Sequence, residues 1–302
     1  MKGFGNKPST KKELIEKKAN NLQKEKLISN ALSLHSSGEI KEALKIYNFL
    51  IQNKIFDPRV LNNLGSFYSQ VNQFEKAILY FDKSIKKFPN FLEAYSNLAN
   101  VLIAKGESNT AKNILNQAIE LNPKYLRPYS ILAGILVGEG NLEKAGFFLK
   151  KSLEINPKDI NSLVNLACVL KNSSNPKQAE KFLKDALKIN PSYDFALTNL
   201  GAVLNELEKY DEGEQYLRKA ISINSSSPMA LNNLGNILSN KKNNKEAEIC
   251  YRKAIEIKPD FSLAYNNLGS LLSKQGNLIE AEKLTQRAIN FNPKFDLAYV
   301  NL

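Results

Sequence analysis

Tryptophan is absent from the 302 residues, histidine occurs once, at His35, and cysteine twice, at Cys168 and Cys250. One histidine and two widely separated cysteines cannot supply a Cys/His metal cluster, and reactions that use histidine as base or acid lose their usual residue. No phosphate-cradling glycine loop occurs either. The sequence therefore predicts no catalytic site, no metal and no cofactor in this chain. No apolar run approaches the roughly 18 to 20 residues that span a bilayer, so no membrane span is expected. The basic start, Met1 to Lys12, is followed by no apolar stretch of the kind that makes a secretory signal, and a cytoplasmic location is the expectation.

The formal charge of +12 raises the question of nucleic acid. Much of the excess is local: Lys2, Lys7, Lys11, Lys12, Lys17, Lys18, Lys24 and Lys26 face only Glu13, Glu16 and Glu25. Beyond that tail, lysine and glutamate mix as on solvated helix faces. Tyr95, Tyr129, Tyr265, Phe81, Phe91, Phe261 and Phe295 are spaced for packing between helices rather than for stacking on bases, so nucleic acid is not the expected partner.

What the chain does have is a period. Leu64, Leu98, Leu132, Leu166, Leu200, Leu234, Leu268 and Leu302 follow one another at 34 residues without insertion or deletion. A small residue follows each of the first seven, from Gly65 and Ala99 to Gly269, and small residues recur at Ala77, Ala111, Ala145, Ala179, Gly213, Ala247 and Ala281. Pro89, Pro123, Pro157, Pro191, Pro259 and Pro293 close the units, with Ser225 the exception, and proline stops a helix. Gly106, Gly140, Gly276 and Asn72 stand where two helices need a tight turn.

This pattern predicts seven repeats of two helices over 58–295: 58–91, 92–125, 126–159, 160–193, 194–227, 228–261 and 262–295. An eighth begins at 296–302. A degenerate capping repeat covers 24–57, with Ile55 where proline would stand. Ahead of it, 1–23 is a basic tail in which Thr10 and Glu13 predict a capping box opening a short helix with Leu14, Ile15 and Leu22 on one side. Asn122, Asn156, Asn190, Asn224 and Asn292 precede the closing position, where a helix ends and asparagine tolerates the geometry.

Units such as Ala264-Tyr265-Asn266-Asn267-Leu268-Gly269, then Glu280-Ala281, Arg287-Ala288-Ile289 and Asn292-Pro293, resemble tetratricopeptide repeats, over roughly residues 24 to 302. The resemblance implies an all-α fold, a right-handed superhelical solenoid of antiparallel helix pairs, whose first helices line a concave groove. Met1-Lys2-Gly3-Phe4-Gly5 also resembles the start of bacterial tetratricopeptide proteins that carry catalytic domains after the array.

At the sixth position of the units stand Asn63, Asn97, Asn165, Asn199, Asn233 and Asn267, with Ile131 the gap. This row is similar to the asparagine ladder in the tetratricopeptide half of O-linked N-acetylglucosamine transferase, and the resemblance implies a ladder that holds an extended peptide by its backbone. An amide offers both donor and acceptor for that purpose. The alternative is polar surface filling in an Asn-rich chain, although asparagine inside a helix is about 0.5 kcal/mol less favourable than alanine. Arg59, Arg127, Lys124 and Lys158 make the groove mildly basic, which suits an acidic protein or extended peptide. Clamp recognition of chaperone tails is disfavoured, because Asn62, Ser96, Ser130, Val164, Thr198, Asn232 and Asn266 occupy the fifth position in place of lysine.

The expected function is therefore a protein interaction scaffold. The alternative is the substrate-recruiting region of a larger glycosyl-, sulfo- or methyltransferase whose catalytic domain lies beyond Leu302, since the sequence stops inside a helix without a polar cap. His35 and Cys168 read as packed or surface side chains rather than reactive ones.

Overall fold

The computed structural model describes the backbone of residues 11–301 and the side chains of 21–301. The tail motif Met1-Lys2-Gly3-Phe4-Gly5, Thr10 of the expected capping box and Leu302 lie outside those residues. The described residues form seventeen helices and no strand, divided into one compact unit up to Ile135 and another from Leu136 onward. The first unit holds α1 (Lys11–Ser36), α2 (Ile40–Gln52), α3 (Pro58–Gln70), α4 (Phe74–Lys87), α5 (Leu92–Ala104) and α6 (Ser108–Leu121). The division falls within α7 (Arg127–Gly138). The second unit holds α8 (Leu142–Ile155), α9 (Ile160–Asn172), α10 (Pro176–Ile189), α11 (Asp194–Glu206), α12 (Tyr210–Ile223), α13 (Pro228–Asn240), α14 (Asn244–Ile257), α15 (Ser262–Lys274), α16 (Leu278–Phe291) and α17 (Asp296–Asn301).

Consecutive helices pack in pairs, and first helices also touch first helices, α3 on α5 and α9, α11, α13 and α15 in succession. In one respect the expected layout changes. The short tail helix and the first helix of the capping repeat are a single helix, α1, because no glycine or proline interrupts the chain between Lys11 and Ser36.

The periodic leucines are core: Leu64, Leu98, Leu132, Leu166, Leu200, Leu234 and Leu268 are all buried. Where the small residue after the leucine is glycine, it is matched to the side chain that faces it from the second helix. A Cβ on Gly235 would lie 2.5 Å from the Tyr251 ring, and one on Gly65 would lie 2.6 Å from the Phe81 ring. Thus at these two positions the first helix gives up a methyl group where an aromatic ring occupies the gap.

Turns and stops repeat as strictly as the core. Within the repeats φ is positive at Gly38, Asn72, Gly106, Gly140, Ser174, Glu208, Lys242 and Gly276, which share one place in the period. Only glycine adopts this conformation without strain, so Ser174, Glu208 and Lys242 hold it because the helices on either side dictate the turn. The helix ends at Asn122, Asn156, Asn190, Asn224 and Asn292 have another cause than the expected one. Their φ values, from −131° to −148°, are extended. Each side-chain Oδ1 accepts a hydrogen bond from the N–H two residues on, as Asn122 does from Lys124 at 3.0 Å and Asn224 from Ser226 at 3.3 Å. This Asx turn ends the helix even where Ser225 replaces proline, while Pro259 ends α14 after Lys258 without asparagine.

Candidate functional site

Proline and short polar side chains start several first helices of the repeats. Asp57 caps α3 through the Arg59 N–H at 2.9 Å, Asp159 caps α9 through the Ser162 N–H at 2.9 Å, and Ser227 caps α13 through the Ala230 N–H at 3.3 Å, with Pro58 and Pro228 at the first helical positions. In the second unit α11, α13 and α15 then lie side by side and form an open groove of about 640 Å3. Its wall carries Thr198, Asn199, Asn232, Asn233, Asn236 and Asn267.

The six ladder asparagines are all half-buried, but they are not equivalent. In the first unit Asn63 donates through Nδ2 to the Tyr47 hydroxyl at 3.1 Å, and Asn97 donates to Asn62 Oδ1 at 2.8 Å. In the second, Asn267 donates to Oδ1 of both Asn232 and Asn236 at 3.0 Å, and the Tyr251 hydroxyl donates to Asn236 at 2.8 Å. Burial raises the Tyr251 pKa, so this hydroxyl stays a donor. Asn199 donates to Phe195 O of its own helix at 2.8 Å and accepts from the Cys168 thiol at 3.4 Å. Asn165 and Asn233 make no side-chain hydrogen bond among the described residues.

Beside the amides runs a second row that the sequence reading passed over. Phe195 (48% exposed), Met229 (44% exposed) and Leu263 line the same groove, and exposed Leu297 continues the row. Each lies four residues before Asn199, Asn233, Asn267 or Asn301, which puts an apolar side chain and an amide on one face of each helix. The signal was available in the 34-residue period, at the second position of each unit, where the earlier repeats have Arg59, Glu93, Arg127 and Asn161.

The charged candidates are less concentrated. Arg59 is held by Asp57 and Glu25, both at 2.9 Å, and these carboxylates raise its pKa further. Arg127, Lys124 and Lys158 are exposed at helix starts and inter-repeat turns, without ion pairs among the described residues. In the groove of the second unit Lys171 pairs with Glu206 at 3.6 Å, and Asp194 accepts from Asn224 at 3.0 Å. Cys168 is partly buried and burial raises its pKa, which keeps the thiol protonated. Among the described residues no three of His, Cys, Asp and Glu are grouped to hold a metal ion, and no helix is long and apolar enough to cross a membrane.

Sequence profiles of the tetratricopeptide repeat match residues 68–135, 228–261 and 250–283, and that of anaphase-promoting complex, cyclosome, subunit 3 matches 138–220. The chain is a tetratricopeptide-repeat protein. No curated protein sequence matches it significantly. Among solved structures, the APC/C hetero-tetramer Cut9-Hcn1 is similar over 80% of this chain at 24% identity and a TM-score of 0.67. This tetratricopeptide-repeat chain spans 48% of the length of that relative. A tetratricopeptide repeat protein from Parabacteroides merdae ATCC 43184 is similar over 81% of this chain and 97% of its own, at 16% identity and a TM-score of 0.68. PilF of Pseudomonas aeruginosa is similar over 69% of this chain and 95% of its own, at 18% identity and a TM-score of 0.57. These likenesses support the repeat fold, a scaffold consistent with protein–protein interaction.

Proposed function

We propose that this chain is an interaction scaffold whose groove in the second unit binds an extended peptide segment of a partner protein. The observation that carries the reading is the pairing of the two rows. Asn233 offers a whole amide to a peptide backbone, Asn199 its second N–H and Asn267 its side-chain oxygen, while Phe195, Met229 and Leu263 offer apolar seats for its side chains. An extended chain alternates its side chains about its backbone, so it can use both rows together. Each backbone hydrogen bond contributes about 1 kcal/mol net, and several are needed for useful affinity. Because Lys171 and Asp194 are each engaged within the chain, the contacts at this groove are chiefly amide and apolar. Acidic character in the partner would act on the exposed Lys124, Arg127 and Lys158, through steering.

The test is selection of peptides from a random display library on the full chain, followed by affinity measurements. Asn233→Ala and Met229→Ser should each weaken the selected peptides by roughly five-fold or more, the equivalent of one lost contact, without loss of helicity. Selected peptides that bind both variants as tightly as the parent would place recognition elsewhere. No cluster of residues among those described favours the transferase-recruiting alternative over the scaffold.

A further inference from the structure

The first unit carries a separate cleft of about 520 Å3, lined by Lys24 of α1, Lys54, Ile55 and Phe56 of the turn between α2 and α3, and Lys87 and Phe88 at the end of α4. Lys83 belongs to the same cluster. Its ammonium lies 4.5 Å from the centroid of the Phe56 ring, and that of Lys87 lies 4.2 Å from the same centroid. One ring thus gathers two like charges. None of Lys24, Lys54, Lys83 and Lys87 makes an ion pair among the described residues. Glu25, the carboxylate in the lining, is committed to Arg59 at 2.9 Å.

The ammonium groups of Lys24, Lys54 and Lys87 line this concavity and that of Lys83 lies over its Phe56 ring; they repel one another and pair with no carboxylate among the described residues. Helix ends account for part of this, since cations favour the C-termini of α2 and α4, where Lys54 and Lys87 stand. They do not account for Lys24 in the body of α1 or for Lys83 one turn earlier. The half-buried Ile55 and Phe88 add an apolar floor.

We propose that this cleft binds an acidic segment of a partner protein, with its carboxylates on Lys24, Lys54, Lys83 and Lys87 and an apolar side chain against Ile55 and Phe88. The lining disfavours nucleic acid. The Phe56 ring is engaged by ammonium groups instead of being bare for a base, and no arginine in the lining offers a fork to phosphate. The proposal is independent of the peptide groove, which is built from other residues in the other unit.

The experiment is fluorescence anisotropy with the full chain and a labelled twelve-residue peptide of alternating Glu and Leu. A Lys/Leu peptide of equal length and a single-stranded oligonucleotide of equal charge serve as comparisons. The acidic peptide should bind best, more weakly as salt is raised. The double change Lys83→Glu with Lys87→Glu should cost at least ten-fold, and Lys83→Gln with Lys87→Gln at least three-fold, both with parental helicity; Asn233→Ala reports whether the peptide has gone to the groove of the second unit instead. No binding at low salt, equal binding by parent and helical lysine variants, tighter oligonucleotide binding, or dependence on Asn233 instead of the lysines would overturn the assignment.

Discussion

Asn267 donates through its side-chain nitrogen to the side-chain oxygen of Asn232, 35 residues earlier, at 3.0 Å. The same step joins Asn97 to Asn62 at 2.8 Å and Asn301 to Asn266 at 2.9 Å. Asn232 and Asn266 are only 2% and 1% exposed, so their oxygens depend on this partner. Asparagine at the sixth position thereby satisfies the fifth position of the preceding repeat, and ties first helix to first helix.

Asn267→Ala should therefore cost about 1 to 3 kcal/mol of stability, the penalty for an unpaired buried acceptor. Asn233→Ala, which breaks no side-chain hydrogen bond among the described residues, should stay within about 0.5 kcal/mol. Urea unfolding of the two variants measures the difference. Equal losses would mean that the two rungs serve the fold alike.

Gly235→Ala should destabilise by about 1 to 3 kcal/mol, because the added methyl meets the Tyr251 ring. Combining it with Tyr251→Leu should cost less than the two single changes added together, since at the same register other repeats combine a buried alanine with a buried leucine, Ala99 with Leu115 and Ala167 with Leu183. A thermodynamic cycle on the four proteins checks this, and strict additivity would contradict it.

Glu208→Gly and Lys242→Gly should each raise stability by about 0.5 to 1 kcal/mol. Both residues are held at positive φ, 59° and 62°, where a Cβ is strained. Thermal unfolding midpoints should rise in each, in contrast to glycine placed within a helix.

Glu214 accepts from Lys241 and Arg218, both at 2.8 Å, and its pKa is lowered chiefly by the Lys241 hydrogen bond. A depressed carboxylate stabilises the fold above its unfolded pKa, about 4.3, and that contribution is lost as pH falls through the lower folded value. The unfolding midpoint should thus drop below about pH 4, and Glu214→Gln should show a shallower drop over that range. Parallel curves for parent and variant would exclude a part for Glu214 in the acid response.

Helix existence, the 34-residue unit and the buried leucines could all be read from residue order, because each depends on local propensity and on a period imposed by stacking identical units. Proline and asparagine marked the helix ends for the same reason. The joining of the tail helix to the capping repeat follows from the absence of any breaker in α1, a local fact that the repeat count obscured. Which asparagines are spent on the fold and which stay open was decided by tertiary packing. Asn233 and Asn267 occupy the same position of the repeat, yet Asn267 meets Asn232 and Asn236 across the helix interface, while Thr198 stands in the place of Asn232 for Asn233, which makes no side-chain hydrogen bond among the described residues. The cluster of Lys24, Lys54, Lys83 and Lys87 likewise exists only once three helices converge, since charge in a sequence has sign and order but no position in space.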